Sequence, residues 1–319
     1  MSSINYRRYQ FLVILVCGLQ LSALIFTFDL QKPQDPSKQF NDPPKIGNDL
    51  TFNVTDVGNF FDGRLQDVAF HGNYAYLACY IGGLKILNIE NPNQPNLVSS
   101  WDLDYRITGV AYRNEMVFLT SFYNGLLVLN VSDPENPIPI TIEGYSRTYL
   151  EKITIVSHYA FIYQGRSDID FLDISNPSNP VLLGTYNTPS QISSFSVMNE
   201  TLIVGYAYEN EFDFVNITNL NDPTLITSYN YTNDFLGTEK ITTSQKFVYC
   251  LANNGELVVC NLTKLTNITV EERILGQFSA GSFCVQENLF YFYTRNSSRM
   301  YQIALFNISN PVVLEKITS

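Results

Sequence analysis

Leu126-Leu127-Val128-Leu129-Asn130-Val131-Ser132-Asp133-Pro134 is the stretch that decides the fold of this chain. An apolar run ends on Asn or Asp, then continues as an apolar residue, Ser or Thr, and usually Asn/Asp-Pro. The pattern occurs six times, anchored at Asn88, Asn130, Asp173, Asn216, Asn261 and Asn307, with the anchors 42, 43, 43, 45 and 46 residues apart. A period of about 40–50 residues built from short strands belongs to propellers and solenoids. In every copy the positions one, two and four before the anchor are apolar, as in Leu129, Val128 and Leu126. Apolar residues on both faces predict a strand covered on both sides, which a sheet packed between two neighbours requires.

Working outward, a hairpin precedes each anchor run. Val68-Ala69-Phe70 turns at His71-Gly72-Asn73 into Tyr74-Ala75-Tyr76-Leu77, and Ile153-Thr154-Ile155 leads into Tyr159-Ala160-Phe161-Ile162. After the anchor a Pro-marked turn leads to a fourth strand such as Val181 to Tyr186, and Pro suits an edge position where a missing N–H does no harm. With no helical periodicity, four strands per repeat and six repeats predict an all-β fold: a six-bladed β-propeller of four-stranded blades, preceded by one N-terminal hydrophobic helix. The blades fall at about 65–104, 105–148, 149–190, 191–234, 235–279 and 280–319. The middle residue of each first strand is small (Ala69, Ala111, Thr154, Ser196, Thr242, Cys284), which places that strand where blades converge on a central channel. Two segments, Leu50 to Thr55 and Val312 to Ile317, compete for one outer-strand position.

These residues carry a family resemblance. Leu126 to Pro134, and Phe171-Leu172-Asp173-Ile174-Ser175-Asn176-Pro177-Ser178-Asn179-Pro180, resemble the LVIVD repeat, over roughly residues 65–319. The resemblance implies a β-propeller of a secreted or surface protein and supplies no catalytic residues. The chain departs from the pattern by using Asn at five anchors and by having Leu220 and Leu265 where the first Pro is expected.

The chain has 319 residues, 45% of them apolar, with 19 Lys+Arg against 30 Asp+Glu and a net charge of −11. Such a chain has no long-range attraction for nucleic acid or anionic lipid. Arg7 and Arg8 precede an uncharged run of 18 residues, Phe11 to Phe28, with Asp29 after it. The run predicts a signal anchor or signal peptide over 1–28, with the N-terminus in the cytosol and the remainder outside. Residues 29–47, with Pro33, Pro36, Pro43 and Pro44, read as a stalk, and 48–319 as the propeller.

The residues before the innermost strands, Asp67, Glu151, Lys152, Glu239 and Lys240, come from alternate blades. They are expected to gather at one channel mouth, either as a ligand site or as solvated salt bridges. The loops of the same face are rich in Tyr and Arg, residues that anchor interfaces and stack on sugars. From the wider set, which includes Tyr80, Phe122, Tyr145, Tyr149, Tyr206 and Tyr231, the interface reading singles out Tyr105, Arg106, Tyr123, Arg147, Arg166 and Tyr208. Nine Asn-x-Ser/Thr sequons occur. Four coincide with anchors, where the motif itself creates them through local backbone bonding. Asn53, Asn199, Asn230, Asn267 and Asn296 are the expected glycosylation sites in a secretory pathway. The five cysteines lack metal-ligand spacing, and a disulfide among Cys79, Cys250, Cys260 and Cys284 stays open. His71 and His158, the only histidines, read as turn residues rather than members of a triad. No cofactor, metal or nucleic acid is expected.

The sequence thus points to a single-pass membrane protein, or alternatively a secreted one, whose propeller binds a protein or a glycan through its loop face. The rival class is a hydrolase or lyase working at the channel mouth, and a third reading is an intracellular scaffold.

Overall fold

The computed structural model describes residues 65–271 with their side chains, apart from 92–93, 102–105, 166, 232–236, 245, 254 and 264–267, together with the backbone alone of strands outside those residues. The chain divides into two compact units, Met1–Gln164 with Leu172–Leu182, and Gly165–Phe171 with Leu183–Ser319. Up to residue 274 the chain from Asp67 onward forms five four-stranded antiparallel sheets. The first joins Asp67–His71, Tyr74–Ala78, Leu84–Asn88 and Asn96–Trp101, and the second Ile107–Arg113, Met116–Ser121, Gly125–Asn130 and Ile138–Ile140. The third joins Leu150–Val156, Tyr159–Gln164, Asp168–Asp173 and Val181–Asn187. The fourth joins Ile192–Met198, Thr201–Tyr206, Glu211–Asn216 and Thr224–Asn230, and the fifth Thr238–Ser244, Phe247–Ala252, Leu257–Lys264 and Asn267–Ile274. Strand order within each sheet is sequence order, and among the described residues there is no α-helix.

In the first unit the opening strands of the first three sheets, Asp67–His71, Ile107–Arg113 and Leu150–Val156, lie side by side. In the second unit Ile192–Met198 lies beside Thr238–Ser244. Sheets that meet along their first strands are the arrangement of a β-propeller. The anchor runs are buried on both faces, as the sequence predicts: Leu84, Ile86 and Leu87, or Phe212, Phe214 and Val215, are fully enclosed. One core lies between the first two sheets around Tyr76, Ile86, Val110 and Leu119, and another between the second and third around Phe118, Val128, Leu150 and Ile162. In the second unit Phe212, Phe214, Tyr231, Val248 and Cys260 form the corresponding core.

The anchor residue has a local cause. Its side-chain oxygen accepts the N–H two residues on: Asn88 from Glu90 (2.8 Å), Asn130 from Ser132 (2.9 Å), Asp173 from Ser175 (2.8 Å) and Asn216 from Thr218 (2.9 Å). Asn and Asp are the side chains that mimic a backbone turn in this way. At Asp173 the Ser175 side chain and N–H hold the carboxyl below its ordinary value.

The helix expected over residues 11–28 and the stalk at 29–47 fall outside the described residues. Of the backbone on the N-terminal side, Arg7–Cys17, Gln20–Leu30 and Asn53–Asp56 pair as a three-stranded antiparallel sheet. An uncharged run satisfies its peptide groups in a helix or in a paired sheet, and apolarity alone does not separate the two. Of the two segments that compete for the outer position, Glu315–Thr318 pairs with Tyr301–Asn307, whereas Asn53–Asp56 pairs with Gln20–Leu30.

Cys79, Cys250 and Cys260 are buried thiols, and among the described residues no disulfide joins them. In the register Cys250 faces Val258 and Cys260 faces Val248, so this hairpin does not set the two opposite each other. Burial pushes the Cys79 thiol up to about 12 and raises Cys250 as well. The thiolate is the reactive species, so these side chains act as core filler. A thiol-alkylating reagent is expected to leave all three intact in the folded protein and to modify all three in urea. Native-state labelling at the rate of a free thiol would refute this packing.

Candidate functional site

The first strands share an irregularity at their entrance. In the second to fifth sheets the register slips between Ile107 and Gly109, Leu150 and Lys152, Ile192 and Ser194, and Thr238 and Lys240. The extra residue at each slip is Thr108, Glu151, Ser193 or Glu239. A β-bulge of this kind re-aims the side chain it inserts. Glu151 and Glu239, predicted from sequence as mouth residues, therefore hold equivalent positions in the third and fifth sheets, each followed by a half-buried Lys152 or Lys240. Burial raises the Glu151 carboxyl above its ordinary value. Burial also raises Glu239, which remains solvent-accessible, and Lys240 opposes that rise.

A raised carboxyl means that the folded state holds the proton more tightly than the unfolded chain. Stability then falls as pH rises from the ordinary Glu range through the raised one, and the cost is fully present above it. Glu151→Gln should flatten that slope and raise the urea midpoint at neutral pH. A midpoint that is unchanged or lowered at neutral pH would count against burial as the cause.

Neighbouring members of this set clamp one sheet to the next. Asp67 Oδ1 accepts from Val68 N (3.0 Å), and Oδ2 accepts from Val110 N in the second sheet (3.1 Å). Ser194 Oγ repeats the device by accepting from Ile241 N (3.0 Å), and Thr108 Oγ1 donates to Leu150 O (2.6 Å). Gly109 occupies the same place in the second sheet. A Cβ there would lie 2.6 Å from Thr120 Oγ1 and 3.2 Å from Ile153 N, so the approach leaves no room for a side chain. Asp67 is thus an edge clamp as well as a mouth residue. Thr108 and Ser194, which also bond one sheet to the next, escaped sequence reasoning, because a neutral hydroxyl carries no signal without the register.

A second constellation stands on the loops of the first unit. The Arg106 guanidinium lies over the Tyr80 ring (5.4 Å to its centroid) and the Tyr123 ring (5.1 Å). Phe122 meets Tyr123 and Tyr149 edge-on, at 5.3 and 4.9 Å, and Tyr123 and Tyr149 stand 6.4 Å apart with planes at 70°. Tyr123 is 50% and Tyr149 44% exposed. Main-chain bonds tie these loops together: Ile107 N to Tyr80 O (3.1 Å), Phe122 N to Arg106 O (3.0 Å) and Tyr149 N to Phe122 O (2.8 Å). Tyr80 and Tyr149 have φ of 50° and 61°, a conformation that bulky residues seldom adopt and that only surrounding structure can hold.

Of the residues singled out from sequence, Arg106 and Tyr123 come together here. Arg147 stands two residues before Tyr149 and donates from Nη1 to Gln164 Oε1 (3.3 Å). Tyr208 is 75% exposed and belongs to the second unit. Tyr105 and Arg166 lie outside the described residues. Tyr80, Phe122 and Tyr149 were legible only as members of an aromatic-rich set. From that same set Tyr145, Tyr206 and Tyr231 are core residues, so they are corrected from the loop face to the interior.

The second unit holds a buried polar cluster that carried no sequence signal. Asp213 accepts from Tyr206 OH (2.5 Å) and Ser228 Oγ (2.5 Å). Burial and the Asp213 carboxylate drive the Tyr206 hydroxyl far up, and burial, followed by Asp213, pushes Tyr186 up to about 12. The third sheet has the matching pair, Thr185 Oγ1 to Asp170 Oδ1 (2.7 Å). His71 stacks on Tyr112 (4.1 Å). His158 Nδ1 lies 3.1 Å from Ser157 Oγ, but Asp173 is engaged by Ser175, so no oriented triad forms. Of the expected glycosylation sites, Asn199 is exposed in a turn at φ 55° and Asn230 is exposed at a strand end. The side chains of Asn53, Asn267 and Asn296 lie outside the described residues.

No curated protein matches the chain in sequence. Among solved structures, the periplasmic gluconolactonase of Pseudomonas aeruginosa superposes with a TM-score of 0.73 at 11% identity, covering 98% of this chain and 96% of its own. A functionally unknown protein from Desulfotomaculum acetoxidans gives 0.60 at 14% identity, with 85% and 92% covered. The computationally designed Ika8 protein gives 0.61 at 12% identity, with 94% and 85% covered. At these identities the likeness concerns the fold alone. The LVIVD repeat family model matches residues 62–103 and 149–188. The second stretch contains the copy around Asp173, whereas the copy at Leu126 to Pro134 lies between the two. The matched stretches hold the first and third sheets, and there the chain carries LVIVD repeats.

Proposed function

We propose that this chain is a six-bladed propeller, anchored in a membrane through residues 11–28 or else secreted, that binds an extracytoplasmic partner through its loop face. The observation that carries this reading is the exposed ring cluster of Tyr80, Arg106, Phe122, Tyr123 and Tyr149. Its loops are held by main-chain bonds and by two tyrosines in a left-handed conformation. Rigid strands that fix short aromatic loops suit recognition without chemistry. The anchor rests on the 18 uncharged residues behind Arg7-Arg8.

Topology and binding are tested together. The full chain with a C-terminal tag is expressed, intact cells are shaved with protease, and the tag is followed. Loss of the tag with the Arg7-Arg8 end retained is the expected result, and a protected tag would overturn the extracytoplasmic placement. Tyr123→Ala with Tyr149→Ala is expected to abolish attachment to partner-bearing cells, and unchanged attachment would overturn the loop-face reading.

The second reading, a hydrolase or lyase at the channel mouth, is favoured by the raised Glu151 and Glu239 carboxyls. A carboxyl that keeps its proton is suited to general-acid work. The discriminating assay is turnover of a lactone such as gluconolactone: turnover that Glu151→Gln abolishes would support it, and none would leave binding as the function.

A further inference from the structure

We infer that the ring cluster of the first unit is a binding site for a sugar that carries a carboxylate, a uronic or sialic acid residue. Arg106 would hold the carboxylate, with Tyr123 and Tyr149 forming the walls. The inference rests on the loop-face reading above and names the ligand class for that face.

Three features of the cluster select this chemistry. Arg106 is exposed and, among the described residues, has no ion-pair partner; its guanidinium lies over the two tyrosine rings. A guanidinium stacked over rings still presents its N–H edge, and that fork matches a carboxylate with two parallel hydrogen bonds. A cationic ligand is disfavoured, because Arg106 already occupies the electron-rich ring faces that would attract one.

The second feature is shape. Tyr123 and Tyr149 do not form a flat patch: their planes meet at 70° with Phe122 edge-on to both. Two half-exposed aromatic walls at that angle suit a puckered saturated ring, whose C–H faces pack on tyrosine while its hydroxyls point outward. An extended acidic peptide could use Arg106 but has no use for a ring-sized corner.

The third is preorganisation. Tyr149 sits at φ 61° and Tyr80 at φ 50°, a conformation that a bulky residue holds only where its surroundings compensate. The Tyr149 N to Phe122 O bond (2.8 Å) and the Ile107 N to Tyr80 O bond (3.1 Å) supply that compensation. Walls fixed before binding lose little freedom when a sugar arrives.

The test is titration calorimetry of the full chain with tetragalacturonic acid, its methyl ester, 3′-sialyllactose, lactose and hexaglutamate. At least one of the two acid sugars should bind, and which one it is separates a uronic from a sialic source. The methyl ester should bind about tenfold or more weakly, the loss of one charge-assisted contact, and lactose, which lacks the entire acidic residue, at least as weakly. Arg106→Gln should erase the preference for the acid, and Arg106→Lys should restore part of it. Tyr123→Ala and Tyr149→Ala should weaken acid and neutral forms alike. Equal binding of acid and ester, an unaffected Arg106→Gln, or hexaglutamate binding as tightly as the sugar would overturn the inference. If no sugar binds while the double tyrosine variant still abolishes cell attachment, the ligand class is wrong and the loop-face reading stands. If attachment also persists, both fall.

Discussion

Asp213→Ala should lower the unfolding free energy by about 2 kcal/mol, because it strands the buried Tyr206 hydroxyl, while Ser228 lies at the exposed edge of the same contact. Asp213 lies opposite Ser228 in the ladder of the fourth sheet, and Tyr206 reaches it from the adjacent strand. Tyr206 is fully buried, so its hydroxyl gains no water when the carboxylate is removed. Tyr206→Phe takes one hydrogen bond from a buried acid and should cost about 2 kcal/mol, in the range for bonds to charged groups. The double variant should cost clearly less than the sum of the two, because both changes break the same contact. Urea midpoints of the three variants decide the matter. Strict additivity, or a loss under about 1 kcal/mol for Asp213→Ala, would show that the cluster does not act as a unit.

Gly125→Ala should damage both stability and the ring cluster. Gly125 opens the third strand of the second sheet with φ +72°, and a Cβ there would lie 2.3 Å from Arg147 O. Backbone, not a flexible side chain, stands in the way, so the segment carrying Arg147 and Tyr149 must move. The left-handed conformation adds about 1–2 kcal/mol for a residue with a Cβ, and the total loss should be roughly 2–4 kcal/mol. Because Tyr149 N is bonded to Phe122 O, displacing this segment should also break the cluster. Partner attachment should therefore fall with Gly125→Ala, while Asp213→Ala, placed in the other unit, should leave the attachment of each folded molecule intact. An unchanged urea midpoint for Gly125→Ala would mean that the loop yields without cost, and the preorganisation argument would lose its basis.

Much of the fold was legible because it is written in short periods. Strand positions follow from apolar residues one, two and four before the anchor, and the anchors from Asn and Asp capturing an N–H two residues on. Both are local effects that a single repeat displays in full. The edge-clamp role of Asp67 was not legible, because its partner Val110 N stands 43 residues away. Glu151 could be singled out as a charge before an inner strand, but its place on a bulge requires the register slip between Leu150 and Lys152. The aromatic loop set mixed surface with core: Tyr123 and Tyr149 are exposed, whereas Tyr206 and Tyr231 have the same chemistry and are buried.

The sequence by itself determined the all-β class, the repeat, its strands and its anchor turns, since each depends on residues within a few positions of one another. Tertiary structure alone decided which loops meet. Tyr80, Arg106, Phe122 and Tyr149 come from separate turns, and they join only because adjacent first strands bring those turns side by side. Whether a tyrosine faces solvent or core, and whether a carboxylate is a clamp, a proton holder or a buried acceptor, depends on what other sheets place against it, and no local period encodes that.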